Sequence, residues 1–193
     1  MNLIYDFETL SQNAFNGAVI NIAALQFDPA RFLENAYEFE ELVEECQFIK
    51  FDVHEQVMKY GRKVEQSTID WWKQQSKEAQ RQLTPSPVDQ SIDVLYDFMV
   101  RDLDYENMKA VWTRGNSFDP VLLDSILIAT NKPKFKNWWA IRDTRSFLDG
   151  LLYGSNIKNN FIPDGLDVVL HDPRYDISLD VYRMQTVIRE LNG

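Results

Sequence analysis

The chain has 193 residues, 45% of them apolar, and 20 Lys and Arg against 30 Asp and Glu give a formal net charge of −10. That length supports one domain, residues 1–193, with a sizeable core, and the charge argues against a broad, non-specific binder of nucleic-acid backbones without excluding an enzyme that grips a few nucleotides. No run is long and apolar enough for a membrane span, no basic-then-apolar leader opens the chain, and the lone Cys46 fits a reducing compartment, so a cytoplasmic protein away from the membrane is expected.

Leu3 to Phe7 reads as a first strand and Ser11 to Gly17 as a polar turn. Ala18 to Phe27 is a second apolar segment, ended by Asp28-Pro29. Tyr37 to Val43 reads as a third strand, with helix as the weaker alternative. Asp52 to Tyr60 has helical spacing. Ser67 opens a short helix over Thr68 to Gln75. A helix over Lys77 to Leu83 is stopped by Thr84-Pro85-Ser86-Pro87. A long helix is predicted from Val88 to Leu103, with Ile92, Leu95, Tyr96, Met99 and Leu103 on one face.

Ala110 to Thr113 is the next strand, followed by a turn at Arg114-Gly115-Asn116-Ser117 and a helix over Phe118 to Thr130. Trp138 to Ile141 reads as a short strand with at least one indole in the core. Arg142 to Leu152 begins another helix, at whose start the Asp143 carboxylate is favoured by free backbone donors. Gly154 to Gly165 is a loop, and Ile177 to Leu191 is the last helix. Strands alternating with helices, with no repeat or long linker, predict a single α/β domain.

Four carboxylates and one histidine carry the chemistry. Asp6 and Glu8 lie two apart on the first strand, so they share a face and each raises the other's proton affinity. A hard divalent cation would neutralise them, yet an edge strand with a polar face toward water fits this segment equally well. Asp119 follows a strand and a glycine turn. His171 precedes Asp176 by five residues, which brings an ionisable base near a potential metal ligand. His54 lies in a polar helical stretch with no partner motif.

With these residues in place, the chain resembles the DEDDh group of 3'-to-5' exonucleases on the ribonuclease-H-like fold, which implies an α/β fold with a mixed central sheet flanked by helices. Asp6-x-Glu8 with Thr9 behind it matches the first motif of that family, Asn116-Ser117-Phe118-Asp119 the second, and His171-x4-Asp176 the last. The match spans nearly the whole chain and all five positions are occupied in order. Ser67-Thr68-Ile69-Asp70-Trp71-Trp72, Thr113-Arg114-Gly115 and Ile141-Arg142-Asp143 are similar to a smaller branch. That branch holds the exonuclease of T-even phages and a mycobacterial exoribonuclease, and it implies a phage-related origin and action in the host cytoplasm.

The resemblance implies that Asp6, Glu8, Asp119 and Asp176 hold two Mg2+ or Mn2+ ions, and that His171 takes a proton from water. The implied substrate is the 3' end of single-stranded DNA or RNA, and the implied product is a nucleoside 5'-monophosphate. Thr9, Trp71, Trp72, Asn116, Phe118 and Arg114 are the expected substrate contacts, with one indole of the Trp71-Trp72 pair facing the cleft. A homodimer is expected by analogy. Two other classes stay open: another two-metal nuclease on the same fold, and a non-catalytic domain that has kept the fold.

Overall fold

The computed structural model describes all 193 residues. Its centre is a five-stranded sheet in the order β3-β2-β1-β4-β5, built from β1 (Asn2–Thr9), β2 (Val19–Phe27), β3 (Gln47–Lys50), β4 (Val111–Thr113) and β5 (Ile141–Asp143). β1 runs antiparallel to β2 and β2 to β3, whereas β4 and β5 run parallel to β1. Alternation along β1 divides the core. Leu3, Tyr5 and Phe7 point into one apolar cluster, and Ile4 points into the other with Ala23 and Leu25 of β2.

Between β2 and β3 lie α1 (Arg31–Glu34) and α2 (Phe39–Glu44). The strand expected over Tyr37 to Val43 is therefore a helix. Glu38 and Glu41 form a reciprocal cap at its start, and Phe39 and Leu42, three apart, bury on one side. The third strand comes later, at Gln47–Lys50. α3 (Val53–Tyr60), α4 (Gln66–Trp72) and α5 (Lys77–Gln80) follow, with a 3-10 turn at Arg81–Leu83.

The long helix expected from Val88 is broken. Gln90 stays extended, accepting from the Asp52 N–H and donating to the Lys50 carbonyl, so coiling starts only at Ile92. It then passes from a 3-10 turn (Ile92–Val94) through α6 (Leu95–Asp97) into a π turn (Phe98–Asp102). Ile92, Leu95, Met99 and Leu103 are all buried regardless, so the expected apolar face is met by an irregular coil.

α7 (Asp119–Ala129) covers one face of the sheet with Leu122, Leu123, Ile126 and Leu127. α8 (Thr144–Leu151) and α9 (Pro173–Asn192) cover the other, where Ile177, Val181, Met184 and Val187 of α9 pack against Ile4 and Leu25. α9 begins four residues before its expected start, because the Asp172 side chain caps it and Pro173 suits its first turn. Trp138–Ala140 is a 3-10 turn in place of the expected strand. The Asn137 side chain donates to the Tyr105 carbonyl and the Ala140 N–H closes back on the Asn137 carbonyl. Cys46 is largely buried, and burial pushes its thiol up to about 11, in keeping with a structural role. No helix is long and apolar enough to cross a membrane.

Candidate active site

β1 pairs with β4 only at Leu3 and Ile4, then the two strands part. The gap is filled by Asp119, the first residue of α7, whose Oδ1 accepts the Phe7 N–H at 3.2 Å. An α-helix N-terminus with a proline second is a suitable seat for a carboxylate. Asp119 is thus buried between the diverging strands, where α/β folds place their sites.

Asp6 and Glu8 project from the C-terminal half of β1 onto the face that α9 covers. They lie on the floor of a cleft of about 460 Å3 that also takes in Arg114, His171, Asp176 and Asp180. Asp176 sits in the first turn of α9 and its Oδ2 accepts the His171 N–H at 3.1 Å. That bond holds His171 in a left-handed backbone conformation, φ 66°, just before the Asp172 cap. The His171 ring meets Trp71 edge to face at 4.7 Å between centroids. Glu8, His171 and Asp176 offer ligand atoms within 4.8 Å of one another, a group able to hold a metal ion.

The electrostatics of these groups follow from crowding. Asp6 is raised well above the usual carboxylate range by burial, then by the charges of Asp119, Glu8 and Asp176. Burial does the same to Glu8, with Asp176 and Asp119 adding to it. Asp119 is pushed up to about 7 by burial, which outweighs the Phe7 amide, and Asp176 to about 7 by burial against the pull of the His171 amide. His171 is lowered by burial, so its imidazole favours the neutral form.

None of these four acids is in an ion pair, although Arg183 on the cleft wall pulls the pKa of Asp176 downward. Arg114 donates to Asp180 at 2.5 Å, Arg183 to the same carboxylate at 2.8 Å, and Arg174 is spent on Asp172 at 2.6 Å. Glu8 and Asp176, with Asp6 and Asp119 close by and none of the four in an ion pair, fit a hard divalent cation with oxygen ligands.

Arg114 also donates to the Asn159 side chain at 2.9 Å, so it ties the cleft wall together instead of lying free for phosphate as expected. Trp72 is fully buried and its indole N–H donates to the Thr9 carbonyl at 3.0 Å. It has no face to offer a base, and its expected place among the substrate contacts is withdrawn. Trp71 is 40% exposed. The Thr9 hydroxyl donates to the Ser11 carbonyl. Asn116 is exposed, accepts from the Thr113 hydroxyl, and donates its N–H to Asp143, while Phe118 is half-buried against the core.

Sequence reasoning missed Asp180. It is buried at the cleft wall, where it also accepts from the Thr144 hydroxyl at 2.5 Å. The signal was available: it stands four residues after Asp176 and three before Arg183, on one side of a helix. Trp138 and Trp139, expected at least in part in the core, are both exposed.

Comparison with known proteins accords with this geometry. The model of the 3'-5' exoribonuclease Rv2179c-like domain matches residues 1–177. The exodeoxyribonuclease of Enterobacteria phage T4 is 34% identical over 214 aligned positions, spanning 100% of this chain and 91% of that one. Among solved structures, the zinc-bound E. coli ExoI–ssDNA complex superimposes with a TM-score of 0.59 at 14% identity over 97% of this chain. A further exonuclease I structure gives 0.61 at 13% identity over 96%. This chain spans only 39% and 40% of those two chains, and likeness at that identity speaks to the fold alone. A sheet of this order, a carboxylate cluster at the end of β1 and a family match over 177 residues converge: the chain belongs to the Rv2179c-like branch of the DEDDh-like 3'-5' exonucleases.

Proposed function

We propose that residues 1–193 act as one exonuclease domain that removes nucleoside 5'-monophosphates from the 3' end of single-stranded DNA or RNA. The observation that carries this reading is the gathering of Glu8, His171 and Asp176 within ligand reach of one another, with Asp6 and Asp119 near enough to raise the acids' proton affinity and none of the four carboxylates in an ion pair. In this reading the four carboxylates hold two Mg2+ or Mn2+ ions. Those ions would supply charge neutralisation at the phosphate and activation of water.

The chain's own groups then have distinct tasks. Burial favours the neutral His171 ring, and the bond from its backbone N–H to Asp176 fixes the residue at the cleft, so its imidazole accepts the proton of the attacking water. Water oxygen bonds to phosphorus, the bond from phosphorus to the 3' oxygen breaks, and a proton passes to that leaving oxygen. Trp71, next to His171 and partly exposed, stacks on a terminal base. Thr9, Asn116 and Phe118, at or just beyond the ends of β1 and β4 and outside the cleft lining itself, are proposed to limit where the last nucleotide can lie. A host cytoplasm with free divalent ions is the proposed setting.

Matched DNA and RNA oligonucleotides labelled at the 5' end test this, each with Mg2+ and with Mn2+. The expected result is a ladder shortening from the 3' end with mononucleotides from the first turnover. Internal fragments appearing first would point to an endonuclease on the same fold. No hydrolysis of either polymer would leave only a non-catalytic domain.

A further inference from the structure

Around β5 the charge balance of the chain inverts. Between positions 132 and 145 there are five cations, Lys132, Lys134, Lys136, Arg142 and Arg145, and a single acid, Asp143, in a protein of net charge −10. Two of the five are engaged: Lys134 pairs with Asp124 at 2.7 Å, and Lys132 lies over the Tyr96 ring. Lys136, Arg142 and Arg145 are exposed and in no ion pair. Asp143 is occupied as well, capping α8 through Ser146 and accepting the Asn116 N–H.

Set among these free cations are two indoles. Trp138 is 75% exposed and Trp139 62%, and they meet edge to face at 5.9 Å. Large apolar side chains this exposed, side by side, mark an interaction surface. Arg142 donates to the main-chain carbonyls of Trp139 and Ile141, at 2.7 and 2.9 Å, which fixes its charge beside the indoles.

The patch lies on the β4–β5 side of the sheet, outside the lining of the catalytic cleft. β5 is the outermost strand on its side of the sheet, parallel to β1 and two strands away from it. Usual strand spacing puts about 10 Å between the two strands, and because the register sets Ile141 level with Leu3, Asp6 lies about 10 Å further along β1. The two places are also bonded together, through Thr144 of α8 to Asp180 in the cleft wall.

We propose that Trp138 and Trp139, with Lys136, Arg142 and Arg145, form a second binding segment for the single strand, upstream of the nucleotide being cleaved. The indoles stack on bases and the three cations meet successive phosphates, a combination that holds single strands of any sequence. Free positive charge beside the aromatic faces, on an otherwise acidic chain, favours a polyanion over a second copy of this protein. The segment rests on the exonuclease reading for its purpose, and it makes the enzyme prefer strands longer than the cleft alone accommodates.

Binding in chelator, where nothing is cleaved, tests the segment apart from catalysis. Fluorescein-labelled dT3 and dT16, and their uridine counterparts, are titrated with wild type and with the Trp138→Ala/Trp139→Ala variant. The expected result is a loss of about tenfold or more on the 16-mers, little change on the 3-mers, and an unchanged melting temperature. Should the double variant fold poorly, Lys136→Gln/Arg142→Gln/Arg145→Gln serves instead. Removing three phosphate contacts should reduce the slope of log affinity against log salt by about 2. Unchanged 16-mer affinity in both variants, or equal loss on both lengths, overturns the proposal. A wild-type dimer that the tryptophan variant converts to monomer, with strand affinity intact, also overturns it and assigns the patch to a second copy. Length-dependent binding in a protein that hydrolyses nothing with Mn2+ would uphold the segment and sink the exonuclease reading.

Discussion

Asp119→Asn should stabilise the metal-free protein at alkaline pH while disabling the enzyme. The amide keeps an oxygen for the Phe7 N–H and deletes only the charge. Burial raises the Asp119 carboxyl from 3.8 to about 7. A carboxyl raised by folding stabilises the fold most below its unfolded pKa, and that contribution is lost as pH rises through the folded value. Each pH unit between the two values costs about 1.36 kcal/mol, so the whole span is worth about 4 kcal/mol and the part above pH 5 about 3 kcal/mol. In a chain of this size that is a shift of about 6–12 °C. Thermal melts in chelator at pH 5 and pH 8 measure it. The variant should gain that much on wild type between the two pH values, and saturating Mn2+ at pH 8 should reverse the order. A wild-type-to-variant difference that is the same at both pH values refutes the argument that Asp119 is held against its own charge.

Three further outcomes are expected. Asp6→Ala and Glu8→Ala should each leave less than about a hundredth of the hydrolysis rate with the fold intact by circular dichroism, and retention of a tenth or more in Mg2+ would remove that residue from the site. His171→Asn, which tolerates the left-handed backbone, should lose about 10²–10⁴-fold in rate under saturating Mn2+ while still binding strand, with His54→Ala as an unaffected control; a wild-type rate would exclude His171 as the base. Trp72→Ala should cost about 3–5 kcal/mol in a denaturant titration, because it empties a fully buried volume. Trp71→Ala should instead weaken strand binding by about 1–3 kcal/mol with little loss of stability, and the opposite pattern would exchange the two roles.

The residues legible in the sequence were those whose chemistry repeats at a short period. Asp6 and Glu8 had to share a face because a strand alternates, and they do. His171 and Asp176 had to be neighbours because five residues span little more than a helical turn, although the contact is made by the His171 backbone N–H and not by a helical stack. What stayed hidden was decided by distant partners. Nothing local reveals that Gln90 is claimed by the edge of β3, so an unbroken helix looked sound from Val88 onward. The alternation of Tyr37 and Phe39 imitated a strand until the Glu38–Glu41 cap decided for helix. Arg114 looked free for phosphate because its acceptor, Asp180, lies 66 positions away.

That the cleft joins β1 to α9 has a consequence for the life of the chain. Glu8 lies on β1 and Asp176 on α9, far apart in the sequence, and only packing of Ile177, Val181 and Met184 on the sheet brings them together. Contacts so remote in sequence close late, after the loop entropy between them has been met. Until α9 docks, the chain therefore holds only half a site. In the exonuclease reading, activity arrives in one step with the docking of α9, so a molecule from which that helix has been clipped cuts nothing.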